Sequence, residues 1–292
     1  MSILVTGANG QVGYELVRRA APLPVIGLAR EALDIRDADA VRNAIHRHGA
    51  RIIINAAAYT AVDKAESDAD SAFAINRDGP ATLAMACAAA GIPLLHLSTD
   101  YVFDGSKAGP YCEDDPVAPL GVYGASKLAG EDVIRASGCA HLILRVAWVF
   151  GAHGQNFIRT MLRLGRERDL LRVVADQLGG PTPAVAIADA LLGLAARSLA
   201  GDVLPWGTYH YAGVPHTSWH GFATVALEAA TARGLITRLP RIDAIASAEY
   251  PTPARRPANS RLDTTRTEAN LGLSAPDWRS GLAAILDEWK NA

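Results

Sequence analysis

Short apolar runs alternate with longer stretches of helical spacing through the first half of the chain. Ile3 to Thr6 is strand-like and leads through a glycine-rich turn into a helix from Gln11 to Ala20. Pro24 to Ala29 reads as a second strand, Ala38 to His48 as a helix, and Arg51 to Ala56 as a third strand. Asp68 to Ala90 holds one long helix or two shorter ones, Leu94 to Ser98 a fourth strand, Tyr123 to Ser137 a helix and His141 to Val149 a further strand. Strands separated by helices of this length pair in parallel through right-handed crossovers. Their uncharged runs suit strands covered on both faces. The pattern predicts an α/β fold built on a doubly wound, parallel Rossmann-type sheet.

After Gly151 the rhythm changes. Asn156 to Arg168 reads as a helix, and a loop rich in Gly and Pro follows from Asp176 to Pro183. Ala184 to Ser198 and Thr208 to Ala212 look like a last helix and strand returning to the main sheet. His216 to Arg233 and Pro276 to Lys290 are amphipathic helices flanking Tyr250 to Pro257, whose prolines exclude a regular helix or a central strand. The expected organisation is a nucleotide-binding domain of residues 1–150 with returning segments at about 184–212, and a smaller C-terminal substrate-binding lobe of 151–183 and 213–292.

Composition narrows the functional classes. With 28 basic and 30 acidic residues the formal charge is -2, so nothing suggests a nucleic-acid partner. The three cysteines, Cys87, Cys112 and Cys139, are odd in number and far apart, which fits neither a disulfide framework nor a zinc site. A reducing, cytoplasmic setting is the simplest reading. The N-terminus runs directly into a core strand and leaves no room for a signal segment. Pro80 to Ser98 carries no charge and approaches membrane-spanning length, but Gly91 and Pro93 break it into a helix and a strand, so no membrane partner is expected.

Gly7-Ala8-Asn9-Gly10-Gln11-Val12-Gly13 lies between the first strand and the first helix. Glycine there permits a tight turn and close approach to a pyrophosphate, and the helix N-terminus favours its charge. Glycines at the first, fourth and seventh positions are the pattern of the short-chain dehydrogenase/reductase superfamily, which this turn resembles. Asp34-Ile35, just past the second strand, offers an acceptor for an adenine amino group. Arg30 ends that strand and suits a 2'-phosphate, which tips the cofactor toward NADPH with NADH still possible; a surface strand end carries such an arginine equally well. Small residues after the third strand, Ala56, Ala57 and Ala58, leave room for a flat cofactor or pack tightly in a core.

Tyr123 and Lys127 are one helical turn apart and share a face. A free phenol, with a pKa of about 10, is a poor acid at neutral pH, and a neighbouring ammonium lowers that value. Thr99 closes the fourth strand at the same edge, where its hydroxyl is either a turn former or a partner for the same carbonyl oxygen. Together the three residues suit proton transfer to a carbonyl while a nicotinamide delivers hydride.

Longer strings resemble the dTDP-4-dehydrorhamnose reductase family. They are Asn55 to Glu66, Ser98 to Phe103, Tyr123 to Glu131, Asp176 to Thr182 and Tyr250 to Leu262, in the expected order from Ile3 to about Trp289. The resemblance implies reduction of the 4-keto group of dTDP-4-dehydro-6-deoxy-L-mannose to dTDP-L-rhamnose by a reduced nicotinamide. Thr99, Tyr123 and Lys127 would be catalytic, with Lys127 lowering the Tyr123 pKa and holding the nicotinamide ribose. Asp100 and Trp148 would contact the sugar, although Trp148 on a strand is also an ordinary core aromatic. Arg256, or Arg255 beside it, would meet the diphosphate, and Asn156 and Phe157 the thymidine.

Some members of that family are thought to dimerise through magnesium held by acids. Glu15 is present, but Ala184-Val185-Ala186 stands where another acid is expected, so no metal is expected here and a homodimer stays open. Two alternatives remain: a nucleotide-sugar epimerase or dehydratase of the same superfamily, and a non-catalytic regulatory subunit.

Overall fold

The computed structural model describes residues 2–291. Six parallel strands form its central sheet: β1 (Ser2–Thr6), β2 (Val25–Leu28), β3 (Ala50–Asn55), β4 (Leu94–Thr99), β5 (His141–Val146) and β6 (Gly207–His210). Their spatial order is β6-β5-β4-β3-β1-β2. The chain steps outward from β1 to β2, then returns across β1 to β3, so a crevice opens where the direction reverses. Thr6 is in register with Asn55, which brings Gly7 and Ala56 out of the sheet side by side.

The apolar runs are explained by cover on both faces. Ile3, Val5, Ile52, Ile54, Leu95 and Leu142 pack against α1 (Gln11–Arg18), which lies beside the helix Ala184–Leu199. Leu4, Ile53, Leu94 and Ile143 pack on the other face against α2 (Ala38–His48) and α3 (Gly79–Ala90). The limits of α2 coincide with the sequence pattern because both ends are signalled: Asp37 accepts from the Asp39 and Ala40 amides, and Gly49 closes the helix at φ 57.

Other elements depart from the pattern. The helical stretch after Asp68 is one path broken by a π-helical turn, Ala74–Asp78. That turn places Asn76 inside, where its side chain bonds both backbone groups of Tyr59 and the Ser126 hydroxyl. The strand expected to reach Val149 stops at Val146. Trp148 sits at φ 46, a rare conformation for a residue with a side chain, and Val149–Phe150 pairs instead with Thr182–Pro183. Leu170–Val174 pairs in parallel with Arg241–Ile245, a ladder hidden in the sequence by Arg172, Arg241 and Asp243.

A separate apolar body contains Phe150, Ile158, Leu162, Leu171, Phe222, Leu227, Trp278 and Leu286, drawn largely from α5 (Phe157–Glu167), α7 (Trp219–Ala232) and α8 (Trp278–Lys290). Two helices complete the numbering: α4 (Val122–Ala136) and α6, the Ala184–Leu199 helix. Among the described residues no helix is long and apolar enough to cross a membrane.

Candidate active site

The glycine turn is built by close approach. Gly7 has φ 72, and a Cβ there would lie 2.5 Å from the Ala57 nitrogen. A Cβ on Gly13 would lie 2.0 Å from the Gly7 carbonyl oxygen, so α1 can start against the turn only without it. Gly10 caps α1 without a side chain, and no acid occupies the first turn of the helix.

Two neighbouring hollows lie along this edge. The smaller, of about 240 Å³, is lined by Gly7, Gly10, Arg30, Asp34, Ile35, Ala56, Ala57 and Ala58. The larger cleft, of about 1190 Å³, takes in Gly10, Gln11, Val12, Ala56, Ala58, Tyr123 and Lys127. Of the residues expected to meet the cofactor, Gly13 alone lines neither hollow; its place is under the turn. Asp34 is held by Arg36, whose bonds at 2.6 and 2.9 Å bring its carboxyl down to about 2.

Thr99 ends β4 and begins a single 3-10 turn, Asp100–Val102. Its hydroxyl accepts from the Tyr101 amide at 3.2 Å and donates to Asp100 Oδ1 at 3.0 Å. The other Asp100 oxygen, Oδ2, is buried without a protein partner, and burial pushes this carboxyl up to about 7. Tyr123 lies in the cleft wall, edge-on to Tyr101 with ring centroids 5.6 Å apart. Burial pushes the phenol up to about 12, with the Thr99 hydroxyl acting in the opposite sense.

Lys127 is buried, with its tip held by the fold. Its Nζ donates to the Leu97 carbonyl at 2.6 Å and lies 3.3 Å from His96 Nε2. Burial brings the amine down to about 8, with Glu131 opposing. Lys127 also lines the larger cleft, and burial is the largest influence on the Tyr123 phenol.

The remaining expected residues also line the larger cleft: Asp100, Trp148, Asn156, Phe157 and Arg256. Trp148 stacks on Trp219 with centroids 3.6 Å apart and donates from Nε1 to the Ser260 hydroxyl at 3.1 Å. Arg256 donates from Nη2 to Asp63 at 2.9 Å, while its Nη1 is buried without a partner. Arg255 is exposed, so only one of the two adjacent arginines faces the cleft. Asn156 is occupied by the fold itself: it caps α5 and bonds Gly151 and Gln11. Glu15 is buried and accepts two bonds from Arg18, at 2.7 and 2.9 Å.

Tyr101, Trp219 and Tyr250 also line the cleft and were not singled out from the sequence. Tyr101 follows Asp100 directly, a usable signal. Trp219 comes from a distant helix and carried none.

A glycine turn at the reversal of a parallel sheet, with a threonine, a tyrosine and a lysine at that same edge, defines an extended short-chain dehydrogenase/reductase. The chain matches the family described as RmlD substrate binding domain over residues 1–291. It is 43% identical over 286 residues to a dTDP-4-dehydrorhamnose reductase of Aggregatibacter actinomycetemcomitans, covering 97% of each chain. Its fold matches the dTDP-4-dehydrorhamnose reductase of Clostridium acetobutylicum with a TM-score of 0.91 at 35% identity, covering 99% of this chain and 100% of that one. The corresponding reductase of Bacillus anthracis, solved in complex with NADP, matches with a TM-score of 0.89 at 34% identity over 99% and 100% of the two chains. The protein belongs to the dTDP-4-dehydrorhamnose reductase family.

Proposed function

We propose that the protein reduces the 4-keto group of dTDP-4-dehydro-6-deoxy-L-mannose with NADPH, giving dTDP-L-rhamnose. The observation that carries this reading is the Tyr123 phenol beside Thr99 in the wall of a cleft that also holds the unpartnered Nη1 of Arg256. When bound, the reduced nicotinamide supplies hydride to the ketone carbon. Tyr123, a phenol protonated at neutral pH and kept so by burial, gives its proton to the oxygen. Thr99 donates a hydrogen bond to that oxygen as charge develops on it.

Asp100 and Trp148 hold the sugar ring, and Arg256 directs Nη1 at a phosphate. Phe157 offers its ring to the base, and Asn156 shapes that end of the cleft as the cap of α5. The lobe of residues 151–183 and 213–292 thereby takes the nucleotide end of the substrate. On the cofactor side, Gly7, Gly10 and the amides at Gln11 and Val12 receive the pyrophosphate, and Gly13 lets the helix sit beneath it. Ala56, Ala57 and Ala58 leave space for the adenosine, Asp34 and Ile35 meet the adenine, Arg30 meets the 2'-phosphate and Lys127 lies toward the nicotinamide ribose. The compartment that fits this reading is the cytoplasm, and a homodimer without a bridging metal is the assembly we propose.

The test is an assay of purified protein with the 4-keto sugar nucleotide. One NADPH should be oxidised per rhamnose nucleotide formed. Turnover of the sugar without net oxidation would assign an epimerase or dehydratase instead.

A further inference from the structure

Two carboxylates from one short stretch of chain reach in two directions. The helix Val62–Ala65 follows β3, and Thr60 and Val62 line the larger cleft. Glu66, just past that helix, accepts the Val122 N–H at 2.9 Å. Gly121, which precedes α4, has no side chain to cap it, and a Cβ there would lie 2.5 Å from the Glu66 Oε1. Glu66 thus satisfies an orphan donor at the start of the helix whose next residue is Tyr123. Asp63, three residues before Glu66, reaches the proline-rich loop instead. Its Oδ1 accepts the Ala254 N–H at 3.2 Å, and its Oδ2 accepts from Arg256 Nη2 at 2.9 Å. The loop is pinned again one residue beyond Arg256, where a Cβ on Gly105 would lie 2.6 Å from Pro257 Cβ. With the backbone fixed on both sides, the freedom that remains belongs to the Arg256 side chain. A guanidinium is a rigid planar fork, so holding Nη2 also sets the direction of Nη1, the buried nitrogen without a partner. The charge of Asp63 works against an anionic ligand, so what it contributes to binding a diphosphate is geometry.

We propose that Asp63 is a positioning residue for Arg256, presenting Nη1 to the diphosphate at a place fixed, through Glu66, relative to the helix that carries Tyr123. This rests on the reading of Arg256 as the group that meets the phosphate. Without Asp63 the arginine moves among its rotamers, and each incoming nucleotide has to order it. Asparagine at this position offers one acceptor oxygen where the fold uses two. Either the Ala254 N–H or Arg256 Nη2 then faces an amide N–H.

The test is a double-mutant cycle read by calorimetric binding of dTDP, with NADPH binding as the check that each variant is folded. Asp63→Asn should weaken dTDP binding about tenfold, although it removes a negative charge, and should leave NADPH affinity unchanged. In an Arg256→Ala background the same substitution should change nothing, because the group it positions is gone. Wild-type or tighter dTDP binding by Asp63→Asn would overturn the proposal. Equal losses in the two backgrounds would also overturn it, since Asp63 would then support the loop without acting through Arg256. Wild-type dTDP affinity in Arg256→Ala would end the phosphate reading and this inference together. A loss in Arg256→Ala beside an unaffected Asp63→Asn would end the inference alone. None of these measurements reads turnover, so a failed reductase assignment leaves them standing.

Discussion

Glu131 and Arg145 form an enclosed two-bond pair, Nε to Oε1 at 2.9 Å and Nη2 to Oε2 at 2.7 Å, directly behind the strand that ends in Thr99. Ser98 donates to Oε1 at 2.6 Å and Arg135 to Oε2 at 3.0 Å, so one carboxylate joins α4, β4 and β5. Glu131 lies one turn beyond Lys127 and two beyond Tyr123, and the pair therefore helps fix the helix that carries both. Removing one partner leaves the other charge buried and uncompensated. Glu131→Ala should cost about 3–5 kcal/mol, read as a lowered urea midpoint. Burial raises the Glu131 carboxyl, but Arg145, Ser98 and Arg135 outweigh it and hold the group below its ordinary value. Its contribution is therefore present above the unfolded carboxylate pKa and is lost as pH falls through the lowered native value.

A second acid-sensitive group sits beside this pair. His210 Nδ1 bonds the Tyr111 carbonyl at 3.0 Å, its Nε2 lies 3.4 Å from Arg145 Nη1, and burial lowers the imidazole to about 3. The unfolded chain binds this proton at about 6.5, so stability is full above that pH and declines as pH falls toward the native value. Denaturation measured from pH 7 downward should show that decline, and His210→Gln should make it shallower. An unchanged slope would remove His210 from the account.

Asp100 should leave a mark on the pH profile of turnover. Its carboxyl, raised by burial to about 7, is protonated below that pH and charged above it. The profile of kcat/KM should therefore bend near pH 7, and Asp100→Asn, which cannot ionise, should remove the bend. Persistence of the bend in the variant would assign it to another group.

Two arginines test the two ends of the bound molecules. Arg256→Ala removes the group proposed to meet a phosphate, and a lost charged hydrogen bond of about 1.5–3 kcal/mol should lower kcat/KM for the sugar nucleotide by about 10- to 100-fold. Its KM for NADPH should hardly change. Arg30→Ala should weaken NADPH and spare NADH, narrowing the preference by a similar factor; an unchanged preference would clear Arg30 of any role.

Much of this site was legible because its signals are local. Tyr123 and Lys127 share a helix face, Thr99 ends the preceding strand, and the glycines at 7, 10 and 13 stand between a strand and a helix. The limits of α2 were readable for the same reason, with Asp37 and Gly49 at its ends. What the sequence did not show depends on contacts between distant segments. Trp148 leaves its strand at a positive φ to stack on Trp219, and no neighbouring residue announces that turn. Arg255 and Arg256 are equivalent in sequence and are separated only by the Asp63 carboxylate, which holds Arg256 in place. Spacing locates the Lys127 Cα, whereas His96 and the Leu97 carbonyl decide where Nζ goes in this structure.

The central claim is that Tyr123 donates the proton in a net reduction by NADPH. Wild type and Tyr123→Phe should be compared with the 4-keto sugar nucleotide under single turnover, with NADPH binding measured separately. The account expects wild type to oxidise one NADPH per product, and Tyr123→Phe to lose about 10²- to 10⁴-fold in rate at nearly unchanged NADPH affinity. A variant that reduces the sugar at the wild-type rate would contradict it.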